Sequence, residues 1–209
     1  MRGLLALSRG IDRLTTFVGR SVSWCILAAI LVSAINAIIR KVFNYSSNSW
    51  LELQWYLFGA AFMGAAAYTL LLNEHIRIDL LFGRWSRRVQ NWIDLLGHVF
   101  FLMPFCLVMI YFLIPWVRRS YRSGEMSPNA GGLILWPAKL ILLVGFVLLA
   151  LQAISEIIKR VAIMRGVIPD PVPYVSQHDA AEIEASAMAQ DMKSLFVPLP
   201  TQDEKDARK

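Results

Sequence analysis

The sequence is poor in charge, in cysteine and in histidine, and each shortage excludes a class of protein. Only 17% of its 209 residues are charged, while 56% are hydrophobic and the mean hydropathy is +0.50. This composition lies outside the range of soluble globular proteins and within that of membrane proteins. Cys25 and Cys106 both lie in apolar runs, so neither a disulfide framework nor a cysteine metal motif is present.

Residues that carry chemistry are equally scarce. Of the three histidines, His75 lies at a membrane edge and His178 in the tail, so a haem held by histidines from two spans has little support. Asp94 and His98 are four residues apart, and we interpret them as a polar contact near the headgroups rather than a proton shuttle. The sequence shows no nucleophile–base arrangement or phosphate loop. We therefore predict that the chain is not an enzyme and holds no cofactor of its own.

Apolar runs, in contrast, are abundant. About 20 helical residues cross the roughly 30 Å hydrocarbon core of a bilayer, and four runs are long enough, at about 17–39, 50–72, 92–117 and 133–158. The predicted fold is an all-α membrane protein with four transmembrane helices within residues 17–165. Pro104 is predicted to kink the third span.

The segments outside these runs are predicted to lie at or beyond the membrane surface. Residues 1–16 are interpreted as a basic amphipathic helix in the interface. Between spans two and three, Asp79 is predicted to cap a short cytoplasmic interfacial helix, with a solvated basic loop as the alternative. Residues 166–209 are acidic and punctuated by proline, and they are expected to form a flexible cytoplasmic tail.

Lysine and arginine are distributed unevenly between the two sides of the membrane. Five flank the spans on one side: Arg40, Lys41, Arg118, Arg119 and Arg122. Eleven lie on the other: Arg2, Arg9, Arg13, Arg20, Arg77, Arg84, Arg87, Arg88, Lys159, Arg160 and Arg165. Because positive charge collects on the cytoplasmic side, both termini are predicted to be cytoplasmic. The net charge of +6 is then directed at lipid headgroups and not at nucleic acid.

Four polar residues within the spans are candidates for helix contacts. Glu52 and Lys139 both lie near outer span ends, where they either pair with each other or extend separately to water; both alternatives remain open. Asn36 and Gln152 lie deeper, and each can bond to another helix at a worth of about 0.6 to 2 kcal/mol. Trp50 and Trp136 are predicted to lie at the outer interface.

Small residues form stripes on two spans. Gly59, Ala60 and Gly64 lie in span two, and Ala29, Ser33 and Ala37 form a second stripe in span one. Such stripes let helix backbones approach closely in lipid, either within one bundle or against a second protein. The chain lacks the paired, Gly/Pro-broken segments that form carrier substrate sites, so it is interpreted as a subunit.

Four motifs in a fixed order resemble a known family. They are "NSWLELQWYLF" at the start of span two, "NEHIRIDLL" at its end, "SGEMSPNAGGLILWP" before span four, and "KLILLVGFVLLALQAISEIIKR" within it. Over about residues 14–166 the chain resembles the small integral-membrane, Q-type subunit of tripartite ATP-independent periplasmic (TRAP) transporters. The resemblance does not extend to residues 167–209.

The resemblance implies partners and a role. In this family a periplasmic binding protein captures an organic acid and delivers it to a membrane pair, in the inner membrane of a bacterium or archaeon. The large subunit holds the substrate and usually Na⁺, and the small subunit is a fixed scaffold without a substrate site. The candidate contact residues are Asn36, Trp50, Glu52, Gly59, Ala60, Gly64, Arg77, Asp79, Trp136, Lys139 and Gln152.

Two alternatives belong to other functional classes. A small four-span exporter needs a carboxylate well inside a span, whereas Glu52 and Glu156 lie near opposite interfaces. A membrane-anchor subunit of a respiratory enzyme needs haem or quinone ligands. Uptake by the chain alone in vesicles would support the first alternative, and a haem spectrum of the purified protein would support the second.

Overall fold

The protein is seen in a computed structural model that describes residues 1–45, 47–73 and 85–169, together with Ser186 and Met188. The chain divides into two units. The first comprises Met1–Arg77 and Arg88–Pro169, and the second comprises Ile78–Arg87 and Asp170–Lys209. Most of the second unit lies outside the described residues, so the fold below is that of the first. The interfacial-helix residues before Trp85 and most of the predicted tail also lie outside them.

The described chain is helical. Its elements are α1 (Arg2–Phe43), α2 (Asn48–Leu72), α3 (Arg87–Gly97), a π-helical turn (His98–Leu102), α4 (Met103–Ser123) and α5 (Trp136–Met164). Among the described residues, four continuous helical segments are long and apolar enough to cross a membrane, with α3, the π-helical turn and α4 forming the third. The predicted all-α class with four membrane-crossing helices is therefore confirmed.

Helix α1 is longer than the first predicted span. Its 42 residues extend for about 63 Å, roughly twice the thickness of the hydrocarbon core. The helix predicted for residues 1–16 is thus the first part of α1, with no break at residue 17. This part buries Ser8, Ile11 and Thr15. The helix ends at Asn44, whose left-handed backbone (φ 54°) stops the helical hydrogen bonding.

Two prolines shape the third membrane segment. A proline lacks an N–H and its ring crowds the carbonyl four residues earlier, which disturbs a regular helix. The π-helical turn His98–Leu102 ends two residues before Pro104 and widens the helix there. Pro115 also lies inside α4, so the expectation of a single kinking proline in this span was incomplete.

The bundle is held in the middle by close contacts at glycines. Helix α5 packs against α1, α2 and α4, and α1 also packs against α2. Gly64 of α2 contacts Val22 of α1, so a Cβ at Gly64 would overlap that side chain. A Cβ at Gly145 of α5 would likewise lie 2.6 Å from Met63. The stripe at Gly64 therefore serves packing within this chain, one of the two alternatives that the sequence left open.

Candidate functional site

The polar residues of the bundle concentrate at its two ends. The end that carries residues 124–135, between α4 and α5, is called here the loop end. The other end, where the first turns of α1 meet the last turns of α5, is called the opposite end. Each end has its own hydrogen-bond network, and the two networks differ in composition.

At the loop end, residues 124–135 form a compact hairpin. Gly124 ends α4 with a positive φ of 61°, and Met126 and Ile134 form an antiparallel β-bridge. The N–H of Ser127 donates to the carbonyl of Leu133 at 2.9 Å. These bonds give the loop a defined shape and direct its polar groups towards the start of α2.

Glu52 of α2 is the acceptor around which this loop is arranged. Its side chain is buried, at 3% exposure. It accepts hydrogen bonds from the hydroxyl of Ser127, from Nδ2 of Asn129 at 2.9 Å and from the N–H of Leu133 at 2.6 Å. A Cβ at position 132 would lie 2.5 Å from Cβ of Ser127 and 2.8 Å from Oε1 of Glu52, so a larger residue there would displace these two side chains. We call Glu52, Ser127, Asn129 and Leu133 the Glu52 clamp.

Three further side chains of α2 strengthen the attachment of the loop. Nδ2 of Asn48 donates to the carbonyl of Ala130 at 2.9 Å, and the Ser49 hydroxyl donates to the carbonyl of Gly131. The Tyr56 hydroxyl donates to the carbonyl of Ile134 at 3.1 Å. The first three turns of α2 thus hold the loop through its backbone as well as through the clamp.

Lys139 is buried beside the clamp but has a different partner. Its ammonium forms an ion pair with Glu125 and lies 4.5 Å from the centre of the Trp116 ring. The possible Glu52–Lys139 ion pair is therefore not formed, and Lys139, at 8% exposure, does not extend to water. The charges of Glu52 and Lys139 are both satisfied by groups of the loop. The positions of the spans in the sequence did not reveal these partners. The hydrogen bond from Lys139 is the main cause that lowers the pKa of Glu125 below its ordinary value.

At the opposite end, Gln152 of α5 joins α5 to α1. Its Oε1 accepts from the Thr15 hydroxyl at 2.8 Å, and its Nε2 lies 3.0 Å from both Oδ1 of Asp12 and Oε1 of Glu156. One turn along α5, the Ser155 hydroxyl donates to Asp12 at 2.7 Å. The network also contains Ser8, whose hydroxyl lies 2.7 Å from that of Ser155. These residues are called the Gln152 network.

Buried charges extend this network. Lys159 lies 2.5 Å from Glu156 and 3.4 Å from Asp12. Arg160 reaches α3, where its guanidinium donates to Oδ1 of Asn91 at 2.9 Å and lies 3.1 Å from Oδ2 of Asp94. Two of the flanking charges used to infer orientation are therefore ion-paired within the bundle.

The expected Asp94–His98 contact takes a different form. Nδ1 of His98 lies 2.5 Å from the backbone carbonyl of Asp94, while the Asp94 carboxylate is ion-paired with Arg160. The carboxylate and the imidazole thus serve separate contacts, because Arg160 approaches α3 from α5 and engages the carboxylate.

The remaining candidate residues are dispersed. Asn36 is buried on α1, and Trp50 is 36% exposed. The ring of Trp136 packs edge-on against that of Tyr121, with 5.4 Å between the ring centres. A Cβ at Gly59 would meet nothing within 4 Å, so this glycine faces open space. Arg77 and Asp79 lie outside the described residues.

Ala60 lines a small cavity of about 290 Å³ between α1, α2 and α5, with Gly64, Val22, Met63 and Val144 among its other lining residues. The lining is apolar and offers no charge to an organic acid. Within residues 1–45, 47–73 and 85–169, no group of three or more His, Cys, Asp or Glu side chains is placed to hold a metal ion.

Sequence reasoning missed most partners in the two networks. Ser8, Asp12 and Thr15 recur at the spacing of one helix face, as do Gln152, Ser155 and Lys159. Matching polar faces on two helices would have indicated the Gln152 network. The partners of Glu52 carried no comparable signal, because a loop conformation brings them together.

The arrangement defines a class of protein: a multi-pass, all-α membrane protein whose intramembrane polar residues join its own elements. The family model described as "Tripartite ATP-independent periplasmic transporters, DctQ component" matches residues 23–162. The chain belongs to this family, and it is a small membrane subunit of a TRAP transporter. The resemblance seen in the sequence is thereby confirmed. Comparisons with curated proteins and with solved structures gave no match.

Proposed function

We propose that this chain is the fixed scaffold for a large transport subunit, in ion-gradient-driven uptake of an organic acid delivered by a periplasmic binding protein. Family membership supports a tripartite assembly with both partners. The observation that carries the scaffold role is the presence of a polar network at each end of the bundle. Substrate and Na⁺ are proposed to bind to the large subunit.

A moving helix would have to break these networks. Separating α1 from α5 would remove the partners of Thr15, Asp12 and Gln152 together. Each buried polar group left without a partner costs about 1 to 3 kcal/mol. Separating the loop from α2 would do the same at Glu52. A bundle closed at both ends by such contacts is suited to remain still while a partner moves.

The proposed orientation places both termini in the cytoplasm and the loop end in the periplasm. It is supported by the eleven-to-five asymmetry of flanking basic residues, counted above. Single cysteines at residues 5 and 200 should react with an impermeant thiol reagent only after the cells are opened. Reaction at either position from outside intact cells would contradict this orientation.

A reversible crosslink tests the scaffold role. The hydroxyls of Ser8 and Ser155 are 2.7 Å apart, so cysteines at both positions are close enough for a disulfide between α1 and α5. With the large subunit and the binding protein present in vesicles, we expect equal uptake by the oxidised and the reduced protein.

The single variant Ser8→Cys is the control for oxidation elsewhere, including at Cys25 and Cys106. Loss of uptake on oxidation, restored by a reductant in the double variant only, would show that α1 and α5 must separate and that the chain is not a fixed scaffold. Uptake by this chain without the large subunit would favour the exporter alternative.

A further inference from the structure

Three arginines of α1 lie together on the side of the helix that faces away from the Gln152 network. At 3.6 residues per turn, Arg9, Arg13 and Arg20 lie within about 40° of one another around the helix axis. The buried residues of the same stretch are centred about 135° away. All three arginines are exposed. Their positions are not explained by the packing of the bundle.

An open cavity of about 650 Å³ follows this side of α1. Its lining includes the three arginines together with Thr16, Phe17 and Trp24. All of its lining residues belong to α1, so it is an open groove along one face of the helix. Along the helix axis the order is Arg9, Arg13, Phe17, Arg20 and Trp24, so positive charge predominates at the start of this face and a tryptophan lies at its end.

The charges in this cavity are not neutralised by the bundle. The ion pairs found among the described residues involve Lys139, Lys159 and Arg160, and none includes Arg9, Arg13 or Arg20. The acid in the lining, Asp12, accepts from Ser155 and Gln152 and lies 3.4 Å from Lys159. The positive charge of the arginines is thus available to an external anion.

The apolar part of the lining indicates what kind of anion fits. Phe17 and Trp24 are each 72% exposed, which is costly in water and favourable against hydrocarbon. From Arg9 to Trp24 the helix rises about 22 Å, enough for a headgroup and the upper part of an acyl chain. A small soluble phosphate would contact the arginines but leave both aromatic rings uncovered.

We propose that this face of α1 is a binding site for one anionic phospholipid, with its phosphate at Arg9 and Arg13, its acyl chains along Phe17 and Trp24, and Arg20 between these two parts. The site requires only that the chain lies in a membrane, and it does not depend on the transport role. It assigns a function to the polar side of the first turns of α1, which the contacts with α5 leave unused.

Quenching of tryptophan fluorescence tests the site directly. A phospholipid with brominated acyl chains quenches a tryptophan that it touches, and the difference between the parent and Trp24→Phe isolates the signal of Trp24. In detergent micelles with the full-length chain, we expect brominated phosphatidylglycerol to be preferred over brominated phosphatidylcholine by about tenfold, since each surface arginine favours anionic lipid. Equal quenching of Trp24 by the two lipids would overturn the proposal.

Charge variants show whether the arginines cause the preference. In the triple variant Arg9→Gln, Arg13→Gln, Arg20→Gln, we expect the preference for phosphatidylglycerol over phosphatidylcholine to disappear. The corresponding triple Arg→Lys variant should retain most of it. The matched control is Arg118→Gln, Arg119→Gln, Arg122→Gln, which removes the same charge from exposed arginines of α4 and should keep the preference. An unchanged preference in the first variant would overturn the proposal.

Two further experiments test whether something other than a phospholipid occupies the site. Millimolar glycerol 3-phosphate should not displace brominated phosphatidylglycerol, and displacement would assign the site to a soluble phosphate. The segment after Gly166 is acidic and is a second possible occupant. If the parent shows no preference and a chain ending at Arg165 shows one, the arginines bind this segment and the lipid proposal is wrong.

Discussion

The two ends of the bundle hold their elements by different means. At the loop end a single carboxylate, Glu52, accepts hydrogen bonds from three neutral donors of one loop. At the opposite end the contacts join separate helices and include buried ion pairs, such as Arg160 with Asp94. The hydrogen bonds of the loop end thus centre on one acceptor, supported by Asn48, Ser49 and Tyr56, whereas the opposite end distributes its contacts over several helices. The comparison predicts that substitutions at the two ends differ in how much stability they remove and in how far through the bundle the effect extends.

The largest effect is expected at Arg160. Replacing a buried arginine by methionine leaves Asp94 without the guanidinium, and breaking a buried ion pair costs about 3 to 5 kcal/mol. Arg160→Met should lower the free energy of unfolding by that amount, measured by denaturation in detergent. Asp94→Asn in the same chain should recover part of the loss. The control Lys159→Met changes a more exposed lysine and should cost less. Equal losses of stability in Arg160→Met and Lys159→Met would contradict the larger contribution expected from the buried ion pair.

A smaller effect, but a local one, is expected at Glu52. In Glu52→Gln an amide group replaces one carboxylate oxygen and meets donors rather than acceptors, and a hydrogen bond to a charged group is worth about 1.5 to 3 kcal/mol. Hydrogen exchange should increase in residues 124–135 and stay unchanged in α1. An increase spread over the whole bundle would show that the Glu52 clamp supports more than its loop.

The middle of the bundle gives a comparison between two glycines of one helix. Gly64→Leu forces a side chain against Val22 and should destabilise the chain by about 1 to 3 kcal/mol, with weaker co-purification of the large subunit as a consequence. Gly59→Leu is the control, because its Cβ meets nothing within 4 Å. If Gly59→Leu reduces co-purification without reducing stability, the open side of α2 faces the partner. If Gly64→Leu is as stable as the parent, α1 and α2 do not pack closely there.

The smallest effect is expected from the Lys139–Glu125 pair. The folded protein lowers the pKa of Glu125 from 4.5, mainly through the hydrogen bond from Lys139. Its contribution to stability is therefore complete above about pH 4.5 and is lost as the pH falls through the lower, folded pKa. The difference in melting temperature between the parent and Glu125→Gln should be constant at neutral pH and shrink in acid. A difference that grows in acid would contradict this sign.

Much of the fold could be predicted because its cause is local. A run of about 20 apolar residues forms a membrane helix wherever it lies in the chain, so span number and class followed from composition and length. The boundaries were less accurate at α1, because a polar amphipathic segment can continue a helix without any break signal. The π-helical turn before Pro104 depends on how the chain relieves a steric clash, which the presence of proline alone does not specify.

The candidate site was predicted in part. Glu52, Lys139 and Gln152 were correctly identified as polar residues inside the helical segments, because such residues are rare in apolar runs. Their partners were not identified. Glu52 bonds to groups 75 to 81 residues away, and Gln152 to groups 137 and 140 residues away on α1. Sequence spacing carries no information on which distant groups meet.

By itself, the sequence determined that this protein is an all-α membrane protein of the TRAP small-subunit family, because hydrophobic length and ordered motifs are properties of contiguous residues. Only the tertiary structure decided that Glu52 binds a loop and does not pair with Lys139. It also decided that Gly64 packs against its own chain. The physical reason is that a buried charge takes the nearest well-oriented donors, and orientation exists only once the helices and the loop have packed.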